Sequence, residues 1–241
     1  MTRGALLLTF DDFFVPEWAA AREVVRAHGA RVTFFVSDLG RLSRPDFSKL
    51  RDLAADGHTI GAHGLHHLDA AEEIARVGPE AYVRDEIAPC LAGLRAEGLA
   101  PRSFAYPFGG RSPAIDELLA RTFTRLRGGY SAPSDGRQLA EDDGYFIPVS
   151  ELPSRRLLTA AGADNGRDFR PCGNSDAALL AALRRAADRD EALTLYAHAI
   201  AEAHENNYIT PARVTWLIEQ ATELGVRCIG FDDLDEIISP S

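Results

Sequence analysis

Short apolar runs alternate with helix-like stretches along most of this 241-residue chain, and that alternation limits its fold more than any other feature. Residues 5–10, 32–36, 59–62, 103–106, 192–197 and 227–231 are rich in β-branched, aromatic and leucine side chains, as buried strands are. Residues 16–28, 45–56, 79–97, 113–122, 176–189 and 211–224 have helical patterning, with Pro near several starts and Gly29, Gly57, Gly98 or Gly225 past the ends. Strand–helix alternation implies a parallel sheet with helices outside it. The expected class is therefore α/β in a single domain over residues 1–241; alternation alone suits both a closed barrel and a doubly wound open sheet, of which the barrel is the expectation. Residues 128–174, rich in Gly, Pro, Asp and Arg, interrupt the scheme and read as an irregular, loop-rich stretch with strand only at 145–149. Stretches of that length inside a compact domain are usually functional or mobile.

The acids and histidines fall at strand ends. Asp11 and Asp12 close the first strand, His63, His66 and His67 follow the third, Tyr106-Pro107-Phe108-Gly109 follows another, and His198 follows 192–197. In parallel α/β folds the C-terminal ends of strands gather on the face that carries the active site. Adjacent carboxylates repel unless a cation or a proton intervenes. His63 and His67 are spaced to share one face of a helical turn, although the spacing of His66 to His63 also suits a helix. A carboxylate with two imidazoles and open positions makes a catalytic metal site, for which zinc is the first choice and cobalt, manganese or nickel accept the same ligands. Taken singly, Asp11-Asp12 also reads as a helix N-cap, and paired histidines meet by accident on surfaces. The conjunction of four segments carries the reading. His28 reads as a helix C-terminal residue, His58 and His204 as structural or exposed, and Trp18 and Trp216 as core.

Composition removes other classes. The net charge is −10, from 36 acidic and 26 basic residues, and no run of Lys or Arg could track a phosphate backbone or an anionic bilayer. No nucleic-acid or membrane partner is expected. The N-terminal apolar run ends at Asp11-Asp12, too soon for a secretory signal, so a cytoplasmic location is expected. Cys90, Cys172 and Cys228 have no paired spacing and read as ordinary residues.

Thr9-Phe10-Asp11-Asp12, the His63–His67 pair after Gly61, the segment from Phe104 to Gly109, and Leu195-Tyr196-Ala197-His198 resemble in order and spacing the motifs of the polysaccharide deacetylases, the NodB-like carbohydrate esterases. The resemblance implies a distorted (β/α) barrel with one divalent metal at its mouth. Asp12, His63 and His67 would be the ligands, Asp11 the general base, His198 the general acid and the Phe108 N–H an oxyanion donor. Tyr106 and Pro107 would meet the substrate. The implied activity is metal-dependent hydrolysis of a non-peptide amide, removing an acyl group, N-acetyl first of all, from an amino sugar. The substrate would be a small molecule or oligosaccharide. A small non-carbohydrate amide or formamide, or a catalytically silent binding role, is the alternative. The chain departs from the family pattern at three places. Phe13-Phe14 stands where Gly is frequent. Gly64 replaces a Ser or Thr whose hydroxyl ties the loop down. Ala105 occupies the place of an Arg that orients the base, which Arg127, Arg155, Arg156 or Arg170 would have to replace.

Overall fold

The computed structural model describes residues 4–129, 138–167, 170–171 and 173–236. Seven parallel strands form a closed ring: β1 (Ala5–Asp12), β2 (Thr33–Val36), β3 (Thr59–Ala62), β4 (Ser103–Ala105), β5 (Arg125–Gly129), β6 (Leu157–Gly162) and β7 (Glu191–Ala197). Closure is made by β7 on β1, from Ala5 opposite Ala192 to Phe10 opposite Ala197. The expected barrel is therefore present.

Strand alternation sorts the side chains. Leu6, Leu8, Phe10, Phe34, Val36, Phe104 and Leu195 belong to the apolar layer between barrel and helices. Ala5, Leu7, Phe35, Ala105, Leu158 and Ala192 belong to a second cluster, which Ile229, Phe231 and Leu234 join. The Phe231 ring meets Phe35 edge-on at 5.3 Å, and its N–H donates to Thr33 Oγ1. Small residues are needed inside because Phe35 fills so much of the space. A Cβ at Gly61 would collide with the Phe35 ring and stand 2.9 Å from Ser103 Oγ.

Several expected elements stand as read, including the strand Thr59–Ala62 and the helix Asp176–Arg189. Three differences matter. The stretch 128–174 is not merely irregular, because it contains barrel strand β6 and, as its first two residues, the end of β5. Both strands escape a hydrophobicity reading: Arg-Leu-Arg-Gly-Gly points arginines into the barrel, and Leu-Leu-Thr-Ala-Ala-Gly is dominated by small residues. A helix at Ala70–Val77, capped by the Asp69 carboxylate, was not expected. The last strand shortens to Arg227–Cys228, after which Phe231–Asp235 coils as a 3₁₀ turn. Cys90 and Cys228 are free, and Cys172 lies outside the described residues. Among the described residues no helix is long and apolar enough to cross a membrane.

Gly61→Ala is expected to lower unfolding stability by about 1–3 kcal/mol, the usual cost of overpacking a filled interior. Urea denaturation measures this; an unchanged midpoint would mean that Phe35 moves aside freely.

Candidate active site

In a regular strand Asp11 and Asp12 would point to opposite faces. Asp12 has φ 87, a conformation that non-glycine residues seldom adopt and that breaks the alternation at the strand end. Both carboxylates therefore serve the mouth of the barrel. Asp11 turns inward and accepts a hydrogen bond from the Arg127 guanidinium, while Asp12 faces the loop after β3.

That loop is not the helical turn that the histidine spacing suggests. Gly64 at φ 86 and His67 at φ 56 fold residues 63–67 back irregularly, and this bend brings His63 and His67 together. Their rings meet at 4.8 Å. His63 Nε2 lies 3.5 Å and His67 Nε2 3.0 Å from Asp12 Oδ1. Among the described residues these three form a group whose ligand atoms all lie within 4.8 Å of one another.

The donor set fits a divalent cation. His63 Nδ1 is 2.9 Å from the Ala105 carbonyl oxygen, which only accepts, so the neutral ring carries its proton on Nδ1 and presents a lone pair at Nε2. That lone pair faces Asp12 Oδ1 at 3.5 Å, while His67 Nε2 stands 3.0 Å from the same oxygen. Acceptor against acceptor is repulsive unless positive charge lies between them. Without a cation that charge comes from imidazole protons: burial works against the charged form of Asp12, yet His63, His67 and His198 hold its carboxyl well below the usual range. Burial likewise opposes protonation of His67, and the carboxylates of Asp12, Asp11 and Asp38 outweigh it, raising its pKa.

Arg127 answers the question posed by Ala105. The two residues are directly paired on neighbouring strands, so the guanidinium enters from β5 at the level where β4 has only a methyl group. It is buried and lies 5.4 Å from the centroid of Phe35 and 5.3 Å from that of Tyr196, aromatic faces that suit a cation. On the other flank, His198 Nδ1 lies 2.7 Å from Asp164 Oδ2, and the His198 N–H donates to Oδ1 of the same carboxylate. Trp18 Nε1 donates to the His198 carbonyl, so a residue expected only in the core also braces the site. Burial pushes the His198 pKa down, but Asp164, Asp12 and Asp11 prevail and raise it to about 9.

Asp164 is the functional residue that the sequence reading missed. It lies in the irregular stretch, just past β6, and becomes visible only once that segment is seen as barrel wall. Arg213 donates to its carbonyl, and a small sheet that includes Ala199–Ile200, Tyr208–Ile209 and Gly166–Arg167 ties the segment to the one after His198. Tyr106 and Pro107, expected at the substrate, are buried instead. Tyr106 is 1% exposed and donates its hydroxyl to Asp116, because strand alternation turns it towards the helix layer, so it supports the rim from below. Phe108 does reach the surface, 76% exposed at φ 56, with its ring edge-on to His67 at 4.6 Å. His66 points away from Asp12 and pairs with Glu86.

Fold and site together define a parallel (β/α) barrel with a carboxylate–bis-imidazole centre at its mouth. The chain belongs to the polysaccharide deacetylase family, whose model matches residues 1–125. A gellan lyase from a Bacillus species is 33% identical over 133 residues, 54% of this chain but only 5% of that relative's length. Two solved structures share the fold at low identity. The family 4 carbohydrate esterase from Streptomyces lividans, in complex with acetate, is 16% identical with a TM-score of 0.58, covering 94% of this chain and 92% of its own. The chitin deacetylase from the fungal pathogen Colletotrichum lindemuthianum is 15% identical with a TM-score of 0.58, covering 97% and 88%.

Two outcomes follow from the ion pairs. Arg127→Met is expected to cost about 3–5 kcal/mol by leaving Asp11 buried and unpaired, read from urea denaturation; a wild-type midpoint would show that Asp11 finds another partner. The folded protein holds the His198 proton more tightly than the unfolded chain, in which histidine titrates near 6.5. The stabilisation is thus complete below about pH 6.5 and is lost as pH rises through about 9. Asp164→Asn should flatten that fall in the metal-free protein; an equally steep fall would assign it to another group.

Proposed function

We propose that this protein is a metal-dependent hydrolase that removes an acyl group, N-acetyl first of all, from the nitrogen of an amino sugar. The observation that carries the reading is the Asp12–His63–His67 group flanked by two separately held proton-transfer residues, Asp11 on Arg127 and His198 on Asp164. A pure binding site has no need of both flanks.

Asp12, His63 and His67 would hold the ion, with zinc the first choice. Bound there, a divalent cation supplies Lewis acidity towards water and an amide carbonyl. The chain's own residues do the rest. Asp11 accepts the proton of the attacking water, and Arg127 keeps its carboxylate aimed. The Phe108 backbone N–H donates to the developing oxyanion. His198 delivers a proton through Nε2 to the departing amine, since amide nitrogen leaves poorly without one. Asp164 holds Nδ1 so that Nε2 is the atom that works.

The carbohydrate assignment draws on the family and on Phe108, whose exposed ring beside His67 offers an apolar platform for a sugar face. The test is acetate and formate release from N-acylated sugars and small amides, with zinc or cobalt supplied and a chelator as control. Asp12→Ala and His67→Ala should lose metal and turnover together. Asp11→Ala should keep metal and lose turnover by about 10²–10⁴-fold. Release from formamides alone would move the substrate outside carbohydrates, and bound metal with no release from any substrate would point to a binding role.

A further inference from the structure

Residues 63–67 carry two of the three candidate ligands without regular secondary structure, and His67 adopts φ 56. A loop in such a conformation is held by what surrounds it. What surrounds it is the helical run from Pro79–Tyr82 to Ala88–Ala96, interrupted by a π-helical turn at Val83–Ile87. Such turns re-aim side chains and recur at functional sites. This one carries Glu86, a carboxylate buried to within 2%.

Glu86 Oε1 accepts a hydrogen bond from the His66 N–H at 2.8 Å, and Oε2 lies 2.9 Å from His66 Nδ1. Both bonds end on the residue immediately before His67. They depend on Gly64, because a Cβ there would stand 2.6 Å from Oε1. Four residues further along the same helix face, the Cys90 thiol takes contacts from the backbone of His63 and Gly64. Burial, with Glu86 adding to it, pushes that thiol up to about 12, so Cys90 serves as packing and not as a nucleophile.

We propose that Glu86 is a positioning residue of the metal centre: admitted by the absent side chain at Gly64, its carboxylate clamps the 63–67 loop through His66 and so sets His67 against Asp12 and His63. This rests on reading Asp12, His63 and His67 as metal ligands. It also explains how the chain dispenses with a hydroxyl at position 64. The anchor comes from a neighbouring helix and not from within the loop.

The experiment measures zinc affinity by chelator competition, the visible spectrum of the cobalt(II) protein, and the melting temperature of the metal-free protein, in wild type, Glu86→Gln, Glu86→Met and His66→Ala. Glu86→Gln keeps an acceptor for the His66 N–H and should stay within about threefold of wild type. Glu86→Met keeps the volume and loses both bonds, so zinc binding should weaken about 10–100-fold, with an altered cobalt spectrum. His66→Ala keeps the backbone bond alone and should fall between the two. A role in stability alone would lower the melting temperature and leave affinity and spectrum untouched. Wild-type affinity and spectrum in a folded Glu86→Met overturns the clamp. Should that variant not fold, wild-type affinity in His66→Ala, or a loss of tenfold or more in Glu86→Gln, overturns it. Wild-type protein that takes up neither zinc nor cobalt overturns the metal assignment itself, a result distinct from either.

Discussion

Carboxylates sunk at the mouth of a barrel have to be matched by positive charge or by N–H groups, and that requirement organises this end of the molecule. Asp11 is matched by Arg127, Asp164 by the ring and backbone of His198, and Glu86 by the ring and backbone of His66. Asp12 has the weakest match. Its Oδ1 faces two imidazole Nε2 atoms, one of which has its proton committed to the far side of the ring by Ala105. Leaving a buried carboxylate uncompensated costs several kcal/mol, and a cation between these three atoms removes the imbalance. The strained φ of Asp12 and of His67 gives the same picture from the backbone: unfavourable conformations are kept where they bring ligand atoms together.

Leu7, Phe35, Ile229 and Phe231 belong to one packed apolar plug inside the barrel. Towards the C-terminal ends the inward positions become Asp11, His63 and Arg127. The plug gives the rim a rigid base, so side chains from strands distant in sequence keep ångström-scale separations. The two departures at Ala105 and Gly64 are resolved alike. A group missing from one segment is supplied by its neighbour, Arg127 from the next strand and Glu86 from a helix packed beneath the loop.

Much of this was legible in the sequence, and the rest was hidden for identifiable reasons. The candidate ligands and both flanking residues stood out because acids and histidines fell where apolar runs ended. The strand Leu157–Gly162 was obscured by its small residues, and β5 by arginines that point inward, so Asp164 had no visible context. Tyr106 sat in a recognisable segment, but its orientation depends on strand alternation at one residue, and it turned towards the helix layer to Asp116. The spacing of His63 and His67 suggested the pair that the structure brings together, by way of the wrong local structure. Their meeting depends on Gly64 at φ 86, which no helical periodicity contains.

The account stands on one ion at one place, and diffraction locates it most directly. Crystals grown with cobalt(II) and measured on both sides of the cobalt absorption edge would give an anomalous difference map. The account predicts a single strong peak about 2.0–2.2 Å from an Asp12 carboxylate oxygen, His63 Nε2 and His67 Nε2, with Asp11 left on Arg127. A peak seated instead on His66 and Glu86, or no peak at the barrel mouth in a cobalt-saturated crystal, would contradict it.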